Sequence, residues 1–110
     1  AWRADRTFIG LDRRGRILLG TTSGGTLSLR RLGELLRAFP GLDLQYALNL
    51  DGGPPACMAV RTPELALEVW GRYESNDSTG REVIFWGKDP IAWPLPAVIA
   101  LYPRGAPCSP

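Results

Sequence analysis

The sequence predicts a single α+β domain, a mixed α/β arrangement in which a mixed sheet carries a β-hairpin and one long amphipathic helix. Three observations predict it. Two short apolar runs, Phe8 to Leu11 and Ile17 to Leu19, flank the turn residues Asp12-Arg13-Arg14-Gly15-Arg16, as in a hairpin. Behind a capping Ser28, Leu29, Leu32, Leu35, Leu36 and Phe39 recur at helical spacing. A third apolar run, Tyr46 to Leu50, ends in Asp51-Gly52-Gly53-Pro54-Pro55. Hairpin, crossover helix and strand together make an α/β unit over a mixed sheet.

The elements follow in order. Arg3 to Thr7 is polar and basic and leads into the first hairpin strand. Thr21 to Gly25 is a small polar loop before the helix, whose Arg30, Arg31, Glu34 and Arg37 fall mostly on the face opposite the leucines. Pro40-Gly41 stops the helix. Beyond the glycine pair, Met58 to Val60 resumes as a strand. Thr62-Pro63-Glu64 has the composition of a helix start, with threonine as cap and proline in the first turn. A second short helix over Leu65, Ala66, Leu67, Val69 and Trp70 is therefore expected, although Leu65, Leu67 and Val69 also alternate as in a strand. Glu74 to Arg81 reads as a polar loop. It carries Glu74, Asn76 and Asp77 but lacks the spacing of a calcium-binding hand, so it is read as solvated. Val83 to Trp86 is a strand, Gly87-Lys88-Asp89-Pro90 a turn, and Ala97 to Tyr102 a final buried strand. The domain is expected over 1–102, with 103–110 a proline-rich, loosely held tail.

Composition narrows the function classes. The chain has 110 residues, 45% apolar and 22% charged, enough for one modest core. A net charge of +2, with the arginines dispersed and Lys88 the single lysine, gives no sign of a nucleic-acid partner. No apolar run is long enough to span a bilayer, and no signal peptide is visible. There is no histidine, so neither a Ser-His-Asp nor a Cys-His arrangement can be assembled, and zinc is disfavoured. No metal or other cofactor is expected. Cys57 and Cys108 allow either a disulfide or two free thiols, and Cys57 has no neighbouring base that would make it a nucleophile.

The stretch from Ala47 to Met58 holds the candidate site. A strand that ends in an acid and two glycines brings backbone close to a ligand, because glycine has no Cβ and reaches positive φ at little cost. Asp51 would stand at the carboxyl end of that strand. The same Asp-Gly-Gly-Pro run is equally the composition of a tight turn, with Asp51 bonding its own backbone.

Asn49-Leu50-Asp51-Gly52-Gly53 resembles the Asn-Leu-Asp-Gly-Gly-Gly-Ser-Ser-Thr-Met signature of the phosphodiester glycosidase family. It is closer still to bacterial members in which proline follows the glycines. Arg6-Thr7-Phe8-Ile9-Gly10 resembles the family's Arg-Thr-Ala-Ile-Gly segment, and Asp12 to Leu19 its hairpin. The resemblance runs from about Arg6 to Leu101 and corresponds to the second half of the family's domain. It implies hydrolysis of a sugar–phosphodiester bond, with a carbohydrate or sugar-phosphodiester substrate. It also implies an exported bacterial protein, periplasmic or extracellular. On this resemblance Asp51 is the catalytic carboxylate and the backbone amides of Gly52 and Gly53 are donors to the phosphate. Arg6, Thr7 and Asn49 lie at the substrate. A second carboxylate would come from Glu74, Asp77 or Asp89, or from the half of the domain not matched.

The departures from the family pattern matter as much. Pro55 and Ala56 replace its paired serines, Ser23-Gly24-Gly25 its Asp-Gly-Arg, Trp93 an arginine and Ala97 a small polar residue. Trp93 would instead stack on a sugar face. The sequence thus leaves two readings, an enzyme and a catalytically degenerate glycan- or cell-envelope-binding module of the same fold. It leaves the oligomeric state open, a homo-oligomer included.

Overall fold

The computed structural model describes residues 3–23, 26–71, 73–76, 82–84, 95 and 97–106. In chain order its elements are β1 (Arg3–Ala4), β2 (Arg6–Asp12), β3 (Ile17–Thr21), α1 (Leu29–Ala38), β4 (Leu44–Gly52), β5 (Met58–Arg61), β6 (Ala66–Val69), β7 (Tyr73–Asn76) and β8 (Glu82–Ile84). The fold is α+β, as expected. The strands form sheets of order β3-β2-β4, β1-β7-β8 and β5-β6, and every described pair is antiparallel.

β2 is the central strand of the sheet that carries the site. It pairs with β3 through the expected hairpin, Leu11 facing Ile17 and Thr7 facing Thr21. Asp12 builds the turn. Its carboxylate accepts the amides of Arg14 at 2.9 Å and Arg16 at 2.8 Å and the Arg16 Nε at 2.6 Å, while Gly15 takes φ 77°. These bonds, led by the Arg16 amide, hold the buried Asp12 carboxyl below its ordinary pKa. On its other side β2 pairs with β4, Leu11 facing Tyr46, Ile9 facing Leu48 and Arg6 facing Gly52, with register shifts at both ends.

α1 begins where expected. The Ser28 hydroxyl accepts the Arg31 amide at 3.2 Å, and the helix stops before Pro40 and the positive-φ Gly41. It contacts β4, but Leu32 is its one buried residue. The described hydrophobic core is small: Ala4, Phe8, Leu32 and Ala56. Phe8 lies across Gly20, where a Cβ would fall 2.2 Å from the ring, so the small residue is what admits the aromatic.

Three expectations are corrected, the first being the polar loop over Glu74 to Arg81, whose start at Glu74 to Asn76 belongs to strand β7 paired with β8. The second short helix does not form; Ala66–Val69 is a strand paired antiparallel with Met58–Arg61. Thr62 does cap, since its hydroxyl accepts the amides of Glu64 at 3.3 Å and Leu65 at 3.0 Å. What it closes is a hairpin turn, with the Thr62 amide bonded to the Leu65 carbonyl at 2.8 Å. The alternation of Leu65, Leu67 and Val69 prevailed because β5 offered a partner ladder, fastened by the Arg61–Glu68 ion pair. The final buried strand is also absent. Ala97 to Tyr102 has no regular structure and lies open, Val98 being 72% and Leu101 75% exposed. Among the described residues no strand pairs with it, and Pro103 ends it in a turn with Gly105 at φ 87°. Val83 and Ile84 are in β8 as expected, whereas the rest of that run, the following turn and the end of the tail lie outside the described residues. Among the described residues no helix is long and apolar enough to cross a membrane.

Folding keeps the Asp12 carboxyl below its unfolded value. Its stabilisation is therefore complete above about pH 4 and fades as pH falls through the lower folded value. Asp12→Asn should lose stability at neutral pH and show a flatter acid limb, read from chemical denaturation across pH. The glycines give a paired test. A Cβ on Gly71 would meet the Gly53 carbonyl at 2.0 Å and the Ala56 backbone at 2.9 Å, all main-chain atoms. Gly71→Ala should cost about 3 kcal/mol, as overpacking against backbone does. A Cβ on Gly33 in α1 meets nothing within 4 Å. Gly33→Ala should instead stabilise by about 0.5–1 kcal/mol in the same measurement.

Candidate functional site

The end of β4 is both a strand end and a tight turn. β4 continues through Asp51 and Gly52 before Gly53 takes φ 73°, a conformation that a side chain would strain. The Gly53 carbonyl then accepts the Ala56 amide at 2.9 Å and closes the turn over Pro54 and Pro55. At Gly52 the pressure is spatial, because a Cβ there would sit tightly, 3.0 Å from the Asp5 carbonyl and 3.3 Å from the Arg6 guanidinium. The glycine pair does bring backbone close, but what it approaches is the head of β2.

Asp51 stands exposed at this strand end, and its Oδ1 accepts the Gly52 amide at 2.9 Å. Both sequence readings of the residue therefore hold at once. Thr7, facing the register shift between β2 and β4, donates its hydroxyl to the Asp51 carbonyl at 2.5 Å and so fixes the strand end. Exposed Asn49 donates to the Leu50 carbonyl at 2.5 Å. Asp51 and Thr7 are joined by the threonine's bond, whereas Asn49 pairs opposite Phe8 and so lies on the other face of the sheet from Thr7.

The glycine amides are arranged differently from the expectation that both face a phosphate. Asp51 takes the Gly52 amide, and the Gly53 amide donates to the Asp5 carbonyl at 2.9 Å. The Gly52 partner is a local side chain, whereas the Gly53 amide is tied into the fold.

Arg6 is buried rather than a solvated edge charge. Its Nε donates to the Leu27 carbonyl at 2.9 Å, and its amide donates to the Thr22 hydroxyl at 2.9 Å. It lies beside Gly52 and supports the site from beneath. Next to it is a group that the sequence did not single out: Asp5, fully buried, whose Oδ1 lies 3.5 Å from the Thr22 hydroxyl. Thr21 reaches the Ala56 carbonyl, so the loop after β3 closes against the turn after β4. In sequence Asp5 sits in a uniformly polar stretch, and only the pairing of β2 with β4 sets it behind the turn. Cys57 is a free thiol that donates to the Pro54 carbonyl at 3.0 Å, a packing role. Trp93, Asp77, Asp89 and Cys108 lie outside the described residues, as does the side chain of Glu74.

Two comparisons returned nothing, since no curated protein and no solved structure matches the chain. The family comparison did: a sequence model described as phosphodiester glycosidase matches residues 1–102. That span contains the hairpin, the helix and the Asp51 turn, and it covers nearly all of the chain. The chain belongs to the phosphodiester glycosidase family.

Proposed function

We propose that the protein hydrolyses a sugar–phosphodiester bond at a site centred on Asp51. The observation that carries this reading is the exposed Asp51 carboxylate at a rigid strand end in a chain of this family. Rigidity of the main chain matters because it leaves the carboxylate only its own side-chain torsions to adjust when substrate arrives. Thr7 holds the Asp51 main chain, and buried Asp5 and Arg6 hold the turn behind it.

The chemistry asks little more of one carboxylate. Breaking the bond between the anomeric carbon and the phosphate oxygen passes through an oxocarbenium-like state, which a nearby anion stabilises. The phosphate leaves as a stable anion, so the demand for a second carboxyl as proton donor is low. Asp51 then acts as base toward water or as the nucleophile itself. In the first case hydroxide from water joins the anomeric carbon and Asp51 takes the proton. The Gly52 amide becomes a donor to the phosphate once Asp51 turns toward substrate. An exported bacterial setting, periplasmic or extracellular, accompanies this reading through the family resemblance.

A specific observation favours a second reading. Pro55 offers no hydroxyl and the Gly53 amide is already in use, so the phosphate side of the site has fewer donors than the family signature supplies. The alternative is a degenerate glycan- or envelope-binding module.

One experiment separates the two. Sugar release is measured from a panel of sugar-1-phosphodiesters with wild type and Asp51→Asn, both checked for folding by circular dichroism. Turnover in wild type with a loss of about a hundredfold or more in Asp51→Asn is expected for a general base. No turnover from folded wild type sinks the hydrolase reading, and saturable glycan binding without turnover establishes the module.

A further inference from the structure

We propose that Thr21 is a sugar-binding residue of the Asp51 site, its hydroxyl meeting a ring hydroxyl of the substrate. The proposal deepens the reading of Asp51 as the group beside the anomeric carbon, and rests on it. It starts from an irregularity of register. Phe8 pairs with Asn49 and Arg6 with Gly52, so one β2 residue, Thr7, stands opposite two β4 residues, Leu50 and Asp51. Side chains alternate along a strand, and Asn49 and Gly52 both keep the face of Phe8 and Arg6. The extra residue is a β-bulge that turns both Leu50 and Asp51 to the face of Thr7. Across it the Thr7 hydroxyl reaches the Asp51 carbonyl.

On the other side of β2, Thr7 pairs directly with Thr21, and residues opposite each other in an antiparallel ladder share a face. Thr21, Thr7 and Asp51 therefore form a row across β3, β2 and β4 at one end of the sheet. With neighbouring strands about 4.8 Å apart, the row spans about 10 Å, enough to lie along a sugar ring. Its members are not equivalent. Thr7 gives its hydrogen to the Asp51 carbonyl at 2.5 Å. Half-buried Thr21 is held far more loosely, its Oγ1 lying 3.4 Å from the Thr22 carbonyl and 3.4 Å from the Ala56 carbonyl. Both contacts exceed the roughly 2.5–3.0 Å of a well-formed O–H···O bond. A threonine hydroxyl hydrogen rotates to suit its partner, so a ligand oxygen gains a bond here at little cost. With Asp51 at the anomeric carbon and the phosphate toward Gly52, the ring extends over Thr7 to Thr21. A placed polar group of this kind fixes a ligand's orientation and selects among sugars.

The test compares wild type, Thr21→Val and Thr21→Ser on sugar-1-phosphate methyl diesters and on the monodeoxy forms of the best substrate, with circular dichroism as the folding check. Valine keeps the shape and removes the hydroxyl; serine keeps the hydroxyl. Thr21→Val should raise KM about tenfold with kcat little changed, as loss of one uniformly made hydrogen bond does, and Thr21→Ser should restore it. One monodeoxy substrate should show the same rise with wild type and be indifferent to Thr21→Val, a pattern that a merely structural threonine does not produce. If wild type binds the diesters without turnover, the calorimetric Kd replaces KM, so that failure of hydrolysis and failure of this inference are read separately. If Thr21→Val does not fold, Thr21→Ala reads the same loss. An unchanged KM or Kd in a folded variant without the hydroxyl overturns the inference. So does a loss shared equally by every monodeoxy form, or a wild type that binds none of the diesters.

Discussion

The structure turns on one hydrogen bond, from the Gly53 amide to the Asp5 carbonyl at 2.9 Å. It joins the head of the central strand to the turn that presents Asp51, two points far apart in sequence. Around it the polar groups have little freedom. Asp5 is fully buried, and a buried carboxylate is tolerated only where hydrogen bonds replace water. Thr22 stands near that carboxylate, accepts the Arg6 amide and returns its own amide to the Arg6 carbonyl at 2.9 Å. Arg6 in turn reaches the Leu27 carbonyl, the residue that bridges to Ala4. These part-buried links tie the loop before α1, the head of β2 and the Asp51 turn into one hydrogen-bonded set.

This network inverts the usual order of an amphipathic strand. In β2 the buried phase is Arg6, Phe8, Gly10 and Asp12, while Ile9 and Leu11 occupy the more open phase. Here the two charged residues are satisfied locally, Asp12 by the turn it builds and Arg6 by a main-chain carbonyl. Their faces are closed by Phe8 over Gly20 and by Leu44 against Gly10. The aliphatic phase stays the more open one, and the small described core follows from that division.

The sequence was most legible where a local signal had one structural meaning. Ser28 followed by leucines at helical spacing allowed only a helix start, and the turn from Asp12 to Arg16 between two apolar runs allowed only a hairpin. It was least legible where a signal had two. Thr62 caps amides in a hairpin turn as readily as in a helix, and the choice was made by β5, a partner that no local window contains. The run from Ala97 to Tyr102 is apolar enough for a buried strand, but burial needs a neighbour as well as a composition. Around the Asp51 turn, the strand end and its glycines were readable because they lie in a recognisable motif. Asp5 was not, because its importance comes from β2–β4 pairing and from nothing in its own neighbourhood.

The loss of serine at Ala56 bears on chemistry less than its place in the motif suggests. Ala56 is fully buried, its amide closes the Gly53 turn, and its backbone packs against Gly71. A hydroxyl at that position would lie inside the fold rather than at the ligand, and would need a partner of its own. Alanine there, with Pro54 and Pro55 before it, stiffens the turn and removes polar groups that burial would penalise. The substitution that faces outward is Pro55, which is only half-buried. What the turn presents to solvent is therefore the exposed Asp51 carboxylate with the Gly52 amide bonded to it.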